Sequence, residues 1–322
     1  MLSGTLPPIG RAREPLLLAG CLVAVTVFTV AAPNFATSNN LLTVLRNSNE
    51  LMLVSLGMTL LLAMGSIDVS VGMVMGLAAI AIGHLLLAGW PPVLAALAGP
   101  LVGGALGLAT GAVVLGGVPA IVGTLGLLGV YRAAIFLVLG GSWLSGLPVG
   151  LTDLLSAKPG GIPIALPVIG AAYALIWTAL RRMPFGIHLL SIGNAEERAR
   201  LSGVAVVRTR FITFVLNGVL CGLGAAFYVA TYRNVATTVG GTLALEAIAA
   251  AVLGGTGVTG GSCSLLGTAL GVVLLRLVQN GLLLVGVPSL WQSVVTGVLL
   301  LSVLGFEAVQ GRLRLFPRAG AT

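Results

Sequence analysis

The chain has 322 residues, of which 57% are hydrophobic and only 7% are charged, and its formal net charge is +8. A soluble globular domain carries about 25% charged residues, so this composition excludes a water-soluble protein and indicates an integral membrane protein. The apolar runs are continuous over helical lengths rather than alternating, which favours transmembrane helices over a β-barrel.

Ten apolar segments, divided by charged residues, glycine and proline, follow one another along the chain. Crossing a hydrocarbon core of about 30 Å requires about 20 apolar residues, and shorter segments are tolerated inside a bundle. The region 50–88 also fits one full span and one broken span. The segments define a transmembrane domain (15–306) between an N-terminal tail (1–14) and a C-terminal tail (307–322). The predicted spans are 15–32, 50–65, 69–88, 93–115, 120–140, 163–180, 211–230, 243–256, 262–284 and 287–306.

The positions of the basic residues predict the topology. If the N-terminus is cytoplasmic, most of the 16 Lys and Arg residues fall in cytoplasmic segments, and Arg46, Lys158 and Arg233 fall outside. This asymmetry follows the positive-inside rule, and ten spans then place both termini in the cytoplasm. The topology accounts for the net positive charge, so nucleic-acid binding need not be invoked.

The longest and most charged cytoplasmic loop is RRMPFGIHLLSIGNAEERARLSGVAVVRTR (181–210). Asn194 is predicted to start a short helix there, because acidic Glu196 and Glu197 follow in its first turn and Gly203 can end it. This helix would lie along the inner face of the membrane. It is either an ordinary solvated loop or a docking helix for a soluble partner.

The sequence lacks the groups that several classes of enzyme require. The glycine-rich stretch LGGTGVTGGSCS (253–264) contains no lysine for nucleotide phosphates, and Lys158 is the only lysine in the chain, which excludes a P-loop. His84 and His188 are too far apart for an HExxH metal site, and no G-x-S-x-G nucleophile motif occurs. We therefore expect no enzymatic activity, no bound metal and no other cofactor.

Two classes of transport protein remain for a ten-helix bundle of this kind. One is a secondary transporter with inverted repeats, driven by an ion gradient, and the other is a permease subunit energised by a separate ATPase. Ion-coupled carriers usually use several ionisable groups within the membrane. This chain offers few such groups, namely Arg132, Arg276, Asp68 and Glu246. Their scarcity and the helical cytoplasmic loop favour the ATPase-driven class.

Four stretches spread along nearly the whole chain carry a family pattern. They are GSIDVSVG (65–72), VPAIVGTLGLLGVYRAAIFL (118–137), RMPFGIHLLSIGNAEERARLSGV (182–204) and LEAIAAAVLGGTGVTGGSCSLLGTALG (245–271). They resemble the permease subunits of bacterial ABC importers for ribose, xylose, rhamnose and autoinducer-2. Ser66 stands where many members have glycine. GGSWLSGLP (140–148) is closer to the autoinducer-2 and rhamnose branch than to the ribose branch.

The resemblance implies an all-α, multi-pass permease of the bacterial inner membrane, with a fold like that of the vitamin-B12-type importers. It implies several partners: an ABC ATPase, often with two fused nucleotide-binding domains, a periplasmic solute-binding protein, membrane lipid, and a second permease copy or paralogue. The transported compound would be a sugar or a sugar-like solute. Its identity stays open, because specificity in such systems lies mostly in the binding protein.

Polar residues and glycines of these stretches are candidates for the translocation path and its gate. Asp68 could instead cap the third helix by accepting a backbone N–H, which we favour because a cap avoids the cost of about 2.5–3.5 kcal/mol for a charge at the bilayer centre. Arg132 and Arg276 could instead extend to an interface, or pair with Glu246 or Glu50. The candidates are Asp68, Ser70, Arg132, Gly254, Gly255 and Arg276.

Residues 191–204 are predicted to form the coupling helix that sits in a cleft of the ATPase. Interface cores are apolar with a charged rim, so Leu201 and Ile192 would be the buried anchors. The predicted contact residues are Ile192, Asn194, Glu196, Glu197, Arg198, Arg200 and Leu201.

A weak internal similarity links MGSIDVSVGMVMGLAAIAIG (64–83) with LGGTGVTGGSCSLLGTALGV (253–272). Each stretch ends one apolar segment, passes through a glycine-containing turn and starts a helix of small residues. Such similarity suggests an internal repeat, as many transporters contain.

Overall fold

The computed structural model describes residues 14–288, 290–292, 294–298, 301–302 and 305. Across these residues the regular structure is helical, apart from one isolated antiparallel bridge between Leu144 and Val235. The helices are α1 (Glu14–Ala31), α2 (Ser38–Ala63), α3 (Val71–Leu87), α4 (Pro92–Leu115), α5 (Ala120–Leu139), α6 (Gly150–Ser156), α7 (Ala165–Arg182), α8 (Pro184–Asn194), α9 (Glu196–Leu201), α10 (Val206–Tyr232), α11 (Leu243–Leu253) and α12 (Leu265–Leu284), with a 3-10 turn at Pro159–Gly161.

Five helices of the described chain, α1, α4, α5, α10 and α12, are long and apolar enough to cross a membrane. The helices α3 and α11 are apolar but shorter. The chain is therefore a polytopic helical membrane protein, while the count of ten spans and the vitamin-B12-type fold stay predictions. Residues 1–13 and the C-terminal tail (307–322), with parts of the tenth predicted span (287–306), lie outside the described residues.

Helix α2 is much longer than the predicted span 50–65, because it starts at Ser38 and has 26 residues. Thr37 caps its start, with its side chain accepting a hydrogen bond from the backbone N–H of Asn40. The polar residues of its first half suggested a loop, yet several of them, including Glu50, are buried in contact with other helices. Tertiary contacts thus extend the helix beyond its apolar part.

Helices α4 and α10 cross closely through glycines spaced four residues apart. A Cβ atom on Gly103 would overlap the carbonyl oxygen of Gly218, and one on Gly99 would overlap that of Gly222. Small residues at such spacing let two backbones approach closely, which is how helices attract one another in lipid. The abundance of glycine in this chain therefore serves helix packing at the centre of the bundle.

The short helix α11 is preceded by an irregular segment, one bridge residue followed by turns, that packs beside α3. Val235 pairs with Leu144 next to Gly83, whereas Val239 packs against Gly76 and Gly240 abuts Gly72. The 11 residues of α11 cover only about 16 Å, too little to cross the membrane alone. Irregular backbone at membrane depth is tolerated where protein surrounds it, and Val235 and Val239 are both buried here.

The two stretches with internal sequence similarity share one backbone geometry. After α2, Gly65 adopts a positive φ of 76° and the N–H of Ser66 bonds back to the carbonyl five residues earlier. After α11, Gly255 adopts a φ of 90° and the N–H of Thr256 makes the equivalent bond. Both are the glycine-dependent helix ending of the Schellman type. The same ending also follows α3, α9 and α12, so it does not distinguish these two stretches, and the internal repeat stays a prediction.

Candidate functional site

Asp68 lies fully buried in the turn between α2 and α3, with 2% of its surface exposed. Its Oδ1 accepts the backbone N–H of Ser70 at 2.8 Å and the Ser70 hydroxyl at 2.6 Å. Ser70 is itself the N-cap residue of α3 and is completely buried. The expected backbone hydrogen bond is therefore present, but Asp68 stabilises the residue before the helix rather than an N–H in its first turn.

Asn217 on α10 completes this cluster and was missed in the sequence. Its Nδ2 donates to Asp68 Oδ2 at 3.2 Å, and its side chain fills the space that a Cβ atom on Gly57 of α2 would need. Thr124 of α5 adds a further contact, because its hydroxyl accepts the backbone N–H of Val69 at 3.3 Å. A polar side chain inside the long apolar run of α10 was the signal that could have revealed Asn217.

Arg276 of α12 lies between two carboxylates from different helices. Its Nη1 is 3.1 Å from Glu246 Oε2 of α11, and its Nη2 is 3.5 Å from Glu50 Oε1 of α2. Nη1 also donates to Gln279 Oε1 at 2.7 Å. All three charged side chains are at least 86% buried. The pairing predicted as one alternative is thus present, with both glutamates at once, and it joins α2, α11 and α12.

Arg132 has a different environment, on the exposed surface of α5. It borders an open cavity of about 600 Å³ between α5 and the irregular segment before α11. Within the part of the chain that the structure describes, its guanidinium has neither an ion pair nor a hydrogen bond. The cavity is lined by Gly129, Arg132, Ala133, Phe136, Leu137, Thr237 and Thr238.

Gly254 and Gly255 lie at the end of α11, where it crosses α12. A Cβ atom on Gly254 would overlap the backbone of Gly267 and Thr268, and Gly255 requires its positive φ to end the helix. The Ser264 hydroxyl caps α12 by accepting the N–H of Gly267 at 2.9 Å. Packing and chain reversal therefore account for both candidate glycines.

The predicted coupling helix (191–204) is wrong in its boundaries, because the chain forms two helices that meet at Ala195. Asn194 is the last residue of α8, and its amide donates to the carbonyls of Leu190 and Gly261 instead of capping the next helix. The predicted stop at Gly203 agrees with the structure, in which Gly203 has a φ of 80° just after α9.

The exposed side chains of α8 and α9 differ from the predicted contact set. Ile192 is only 3% exposed, because it packs inside the permease, so its predicted role as an external anchor is wrong for this conformation. Leu201 is 80% exposed. Glu196 accepts hydrogen bonds from Arg200 at 3.2 Å and from Arg210 at 2.7 Å, which fixes α9 to α10. The charged residues Glu197, Arg198 and Arg200 of the same short helix are exposed as well.

Residues 40–304 match the family described as branched-chain amino acid transport system / permease component. The chain belongs to this family. The autoinducer 2 import system permease proteins LsrC of Enterobacter sp. (strain 638), Klebsiella pneumoniae and Yersinia enterocolitica are 36%, 38% and 33% identical to it. The alignments cover 93%, 91% and 94% of this chain and 85%, 85% and 83% of theirs. No solved structure matches the chain.

Family membership confirms the resemblance found in the sequence and identifies the chain as an importer permease, which removes the secondary-transporter alternative. In this permease, three connections meet at one end of the bundle. The N–H of Gly261 donates to the carbonyl of Ala63 at 2.9 Å, and a Cβ atom on Gly193 would overlap that same carbonyl. The junction of α8 with α9 therefore touches both glycine-containing turns.

Proposed function

We propose that this chain is the permease subunit of an ABC importer that carries autoinducer-2 or a closely related sugar-like solute across the bacterial inner membrane. The observation that carries this proposal is the similarity, over more than nine-tenths of the chain, to permease proteins named for autoinducer 2 import. A separate ATPase supplies the energy, and a periplasmic binding protein delivers the solute. Both termini lie in the cytoplasm.

The translocation path runs between two permease subunits, along the face of α5 that carries Arg132. An arginine that faces lipid near the bilayer centre costs about 2.5–3.5 kcal/mol, so an exposed and unpaired one requires water or protein around it. Val130 and Leu137 on the same helix are 60% and 78% exposed. We therefore place a second permease copy or paralogue against α5, with Arg132 in the polar space between the two subunits.

The coupling contact is made by α9, with Leu201 as its apolar anchor. A chain that does not hydrolyse ATP is driven only by an ATPase that binds its conformations with different affinities. A displacement of α9 is passed to the junction at Gly193, which is wedged against Ala63 and Gly261. Both glycine-containing turns then move together. The turn after α2 contains Asp68, which accepts a hydrogen bond from Asn217.

Reconstitution tests this function directly. The permease is incorporated into liposomes with a candidate ATPase and binding protein from the same organism, and uptake of labelled autoinducer-2 is measured with ribose as competitor. We expect that uptake requires ATP inside the liposomes and the binding protein, and that ribose does not compete with autoinducer-2. Uptake driven by a proton or sodium gradient without the ATPase contradicts the energy source. ATP-driven uptake of ribose alone contradicts the solute class.

A further inference from the structure

A small cavity lies between α2, α6, α7, α10 and the connection that precedes α7. Its volume is about 80 Å³, and two basic side chains, Arg46 and Lys158, line it. No carboxylate is among its lining residues. Neither Arg46 nor Lys158 forms an ion pair within the described parts of the chain. The cavity is therefore a site of uncompensated positive charge.

These two residues are exceptions to the positive-inside rule, since the predicted topology places only three basic residues outside. The third, Arg233, has a structural role, because its Nε and Nη2 donate to the carbonyl of Leu147 at 3.2 and 3.0 Å. Arg46 and Lys158 have no such structural role, and both border the same cavity. An anion bound between two cations offsets their mutual repulsion.

A buried amide and apolar side chains in the lining indicate which kind of ligand fits the cavity. Asn49 lines it, is only 5% exposed, and its Oδ1 has no hydrogen-bond partner in the described structure. An unsatisfied buried acceptor costs about 1–3 kcal/mol, which a ligand hydroxyl would recover. Leu166 and Phe227 line the cavity on other sides, and Leu42 extends this apolar lining to the surface, where it is 43% exposed.

We propose that this cavity binds an anionic phospholipid whose headgroup carries a hydroxyl. The phosphodiester lies between Arg46 and Lys158, the hydroxyl donates to Asn49, and an acyl chain runs along Leu42. Inorganic phosphate would use the two cations but not the apolar lining, and a choline headgroup has no hydroxyl and brings a repelled positive charge. That the lipid belongs to the periplasmic leaflet rests on the proposed topology.

Lipid binding to the purified full-length permease tests the proposal. Native mass spectrometry measures how much phosphatidylglycerol stays bound in detergent, with phosphatidylcholine as the reference lipid. We expect the double variant Arg46→Gln/Lys158→Gln to bind phosphatidylglycerol about 30-fold more weakly, since each basic residue near a lipid surface contributes about 1 kcal/mol. Binding of phosphatidylcholine should stay the same.

Control variants separate this site from general charge effects. Arg182→Gln/Arg208→Gln removes two exposed cations at the other end of the bundle and should leave phosphatidylglycerol binding unchanged. Arg46→Lys should restore most of the binding that Arg46→Gln loses. Equal binding by the double variant and the wild type overturns the proposal. Thermal stabilisation by inorganic phosphate equal to that by phosphatidylglycerol overturns the lipid assignment in favour of a soluble anion.

A measurement on the wild type covers the case in which the double variant does not fold. A photoactivatable phosphatidylglycerol is added to the purified permease, and the crosslinked peptides are sequenced. We expect labelling in the first half of α2 and in residues 155–166. Labelling spread evenly over the exposed helices overturns the proposal without any substitution.

Discussion

At the scale of single residues, buried polar groups in this permease bond to one another across helices. Asp68 bonds to Ser70 and Asn217, and Arg276 bonds to Glu50 and Glu246. Inside a membrane, water does not supply hydrogen bonds to such groups. Each cluster therefore fixes the relative positions of the helices that supply its side chains. Substitutions that remove the charge but keep the hydrogen bonds therefore test which of the two each cluster requires.

Asp68→Asn should keep most of the uptake activity. The asparagine oxygen can accept the N–H of Ser70, and Asn217 can turn its amide so that its unpaired Oδ1 accepts from the new NH₂ group. Asp68→Ala removes every acceptor and should destabilise the permease by about 1–3 kcal/mol. Thermal unfolding in detergent and uptake in liposomes measure both effects. Loss of uptake in Asp68→Asn with unchanged stability would show that the negative charge itself is required.

Arg276→Gln should destabilise the permease by about 3–5 kcal/mol, because it leaves two buried carboxylates without their cation. Glu246→Gln is the matched variant, since it removes one of the two acids that share the guanidinium and leaves the pair with Glu50 intact. It should cost much less. Thermal unfolding of the two purified variants gives the comparison, and equal stability of both would mean that Arg276 is solvated rather than paired.

The charged residues of this site could be predicted from the sequence, whereas their partners depend on how the helices pack. Asp68 and Arg276 were found because charges are rare in an apolar chain, and Glu246 and Glu50 were foreseen as partners of Arg276. The sequence could not show that Arg276 pairs with both glutamates at once, because this depends on how α2, α11 and α12 cross. Asn217 carries no charge, so its polar side chain in an apolar run was a weaker signal. Its hydrogen bond to Asp68, 149 residues away along the chain, is known only from the fold.

At the scale of elements, local signals set where helices end more reliably than where they begin. Positive-φ glycines end α2, α9 and α11 near the predicted positions. The start predicted at Asn194 failed, because its side chain bonds to Gly261 of a distant turn instead of to its own helix. The first half of α2 was missed for a similar reason, since Asn40 and Glu50 bond to Asn280 and Arg276 of the distant helix α12.

The crossing of α4 and α10 should be sensitive to a single added methyl group. Gly103→Ala forces a Cβ atom into the backbone of Gly218 and should destabilise the permease by about 1–3 kcal/mol. Gly170→Ala on α7 is the matched control, because no atom lies within 4 Å of its added Cβ. It should be neutral or slightly stabilising. Equal thermal unfolding of both variants would contradict the close crossing.

Leu201→Asp should leave the permease folded and inserted but weaken its association with the ATPase and abolish solute-stimulated hydrolysis. The exposed leucine is the apolar centre of the α9 face, and a carboxylate there cannot be buried in a cleft without a large cost. Leu201→Met is the control, which keeps an apolar anchor. Co-purification with the ATPase and hydrolysis in liposomes are the measurements. If Leu201→Asp retains both, docking occurs elsewhere.

At the scale of the whole molecule, connections that the predicted topology assigns to the same side of the membrane lie together, while the ten spans and the cytoplasmic termini stay predictions. The turns after α2 and α11 and the junction of α8 with α9 meet at one end, and all three are predicted to be cytoplasmic. Leu144 and Val235, both predicted outside, pair with each other. Reporter fusions after Pro317 and beside Lys158 should report opposite sides of the membrane. Two reporters on the same side would disprove this topology.

The irregular segment 235–242 implies an order of assembly during synthesis. Lacking a continuous helical ladder of hydrogen bonds, it cannot pass into lipid as an independent unit. The surfaces that receive it, Leu144 and the glycines of α3, lie earlier in the chain. At about 5–20 residues per second, the ribosome makes them on the order of several seconds before the segment emerges. The N-terminal half of the permease thus acts as a template that must already be inserted when its second half arrives.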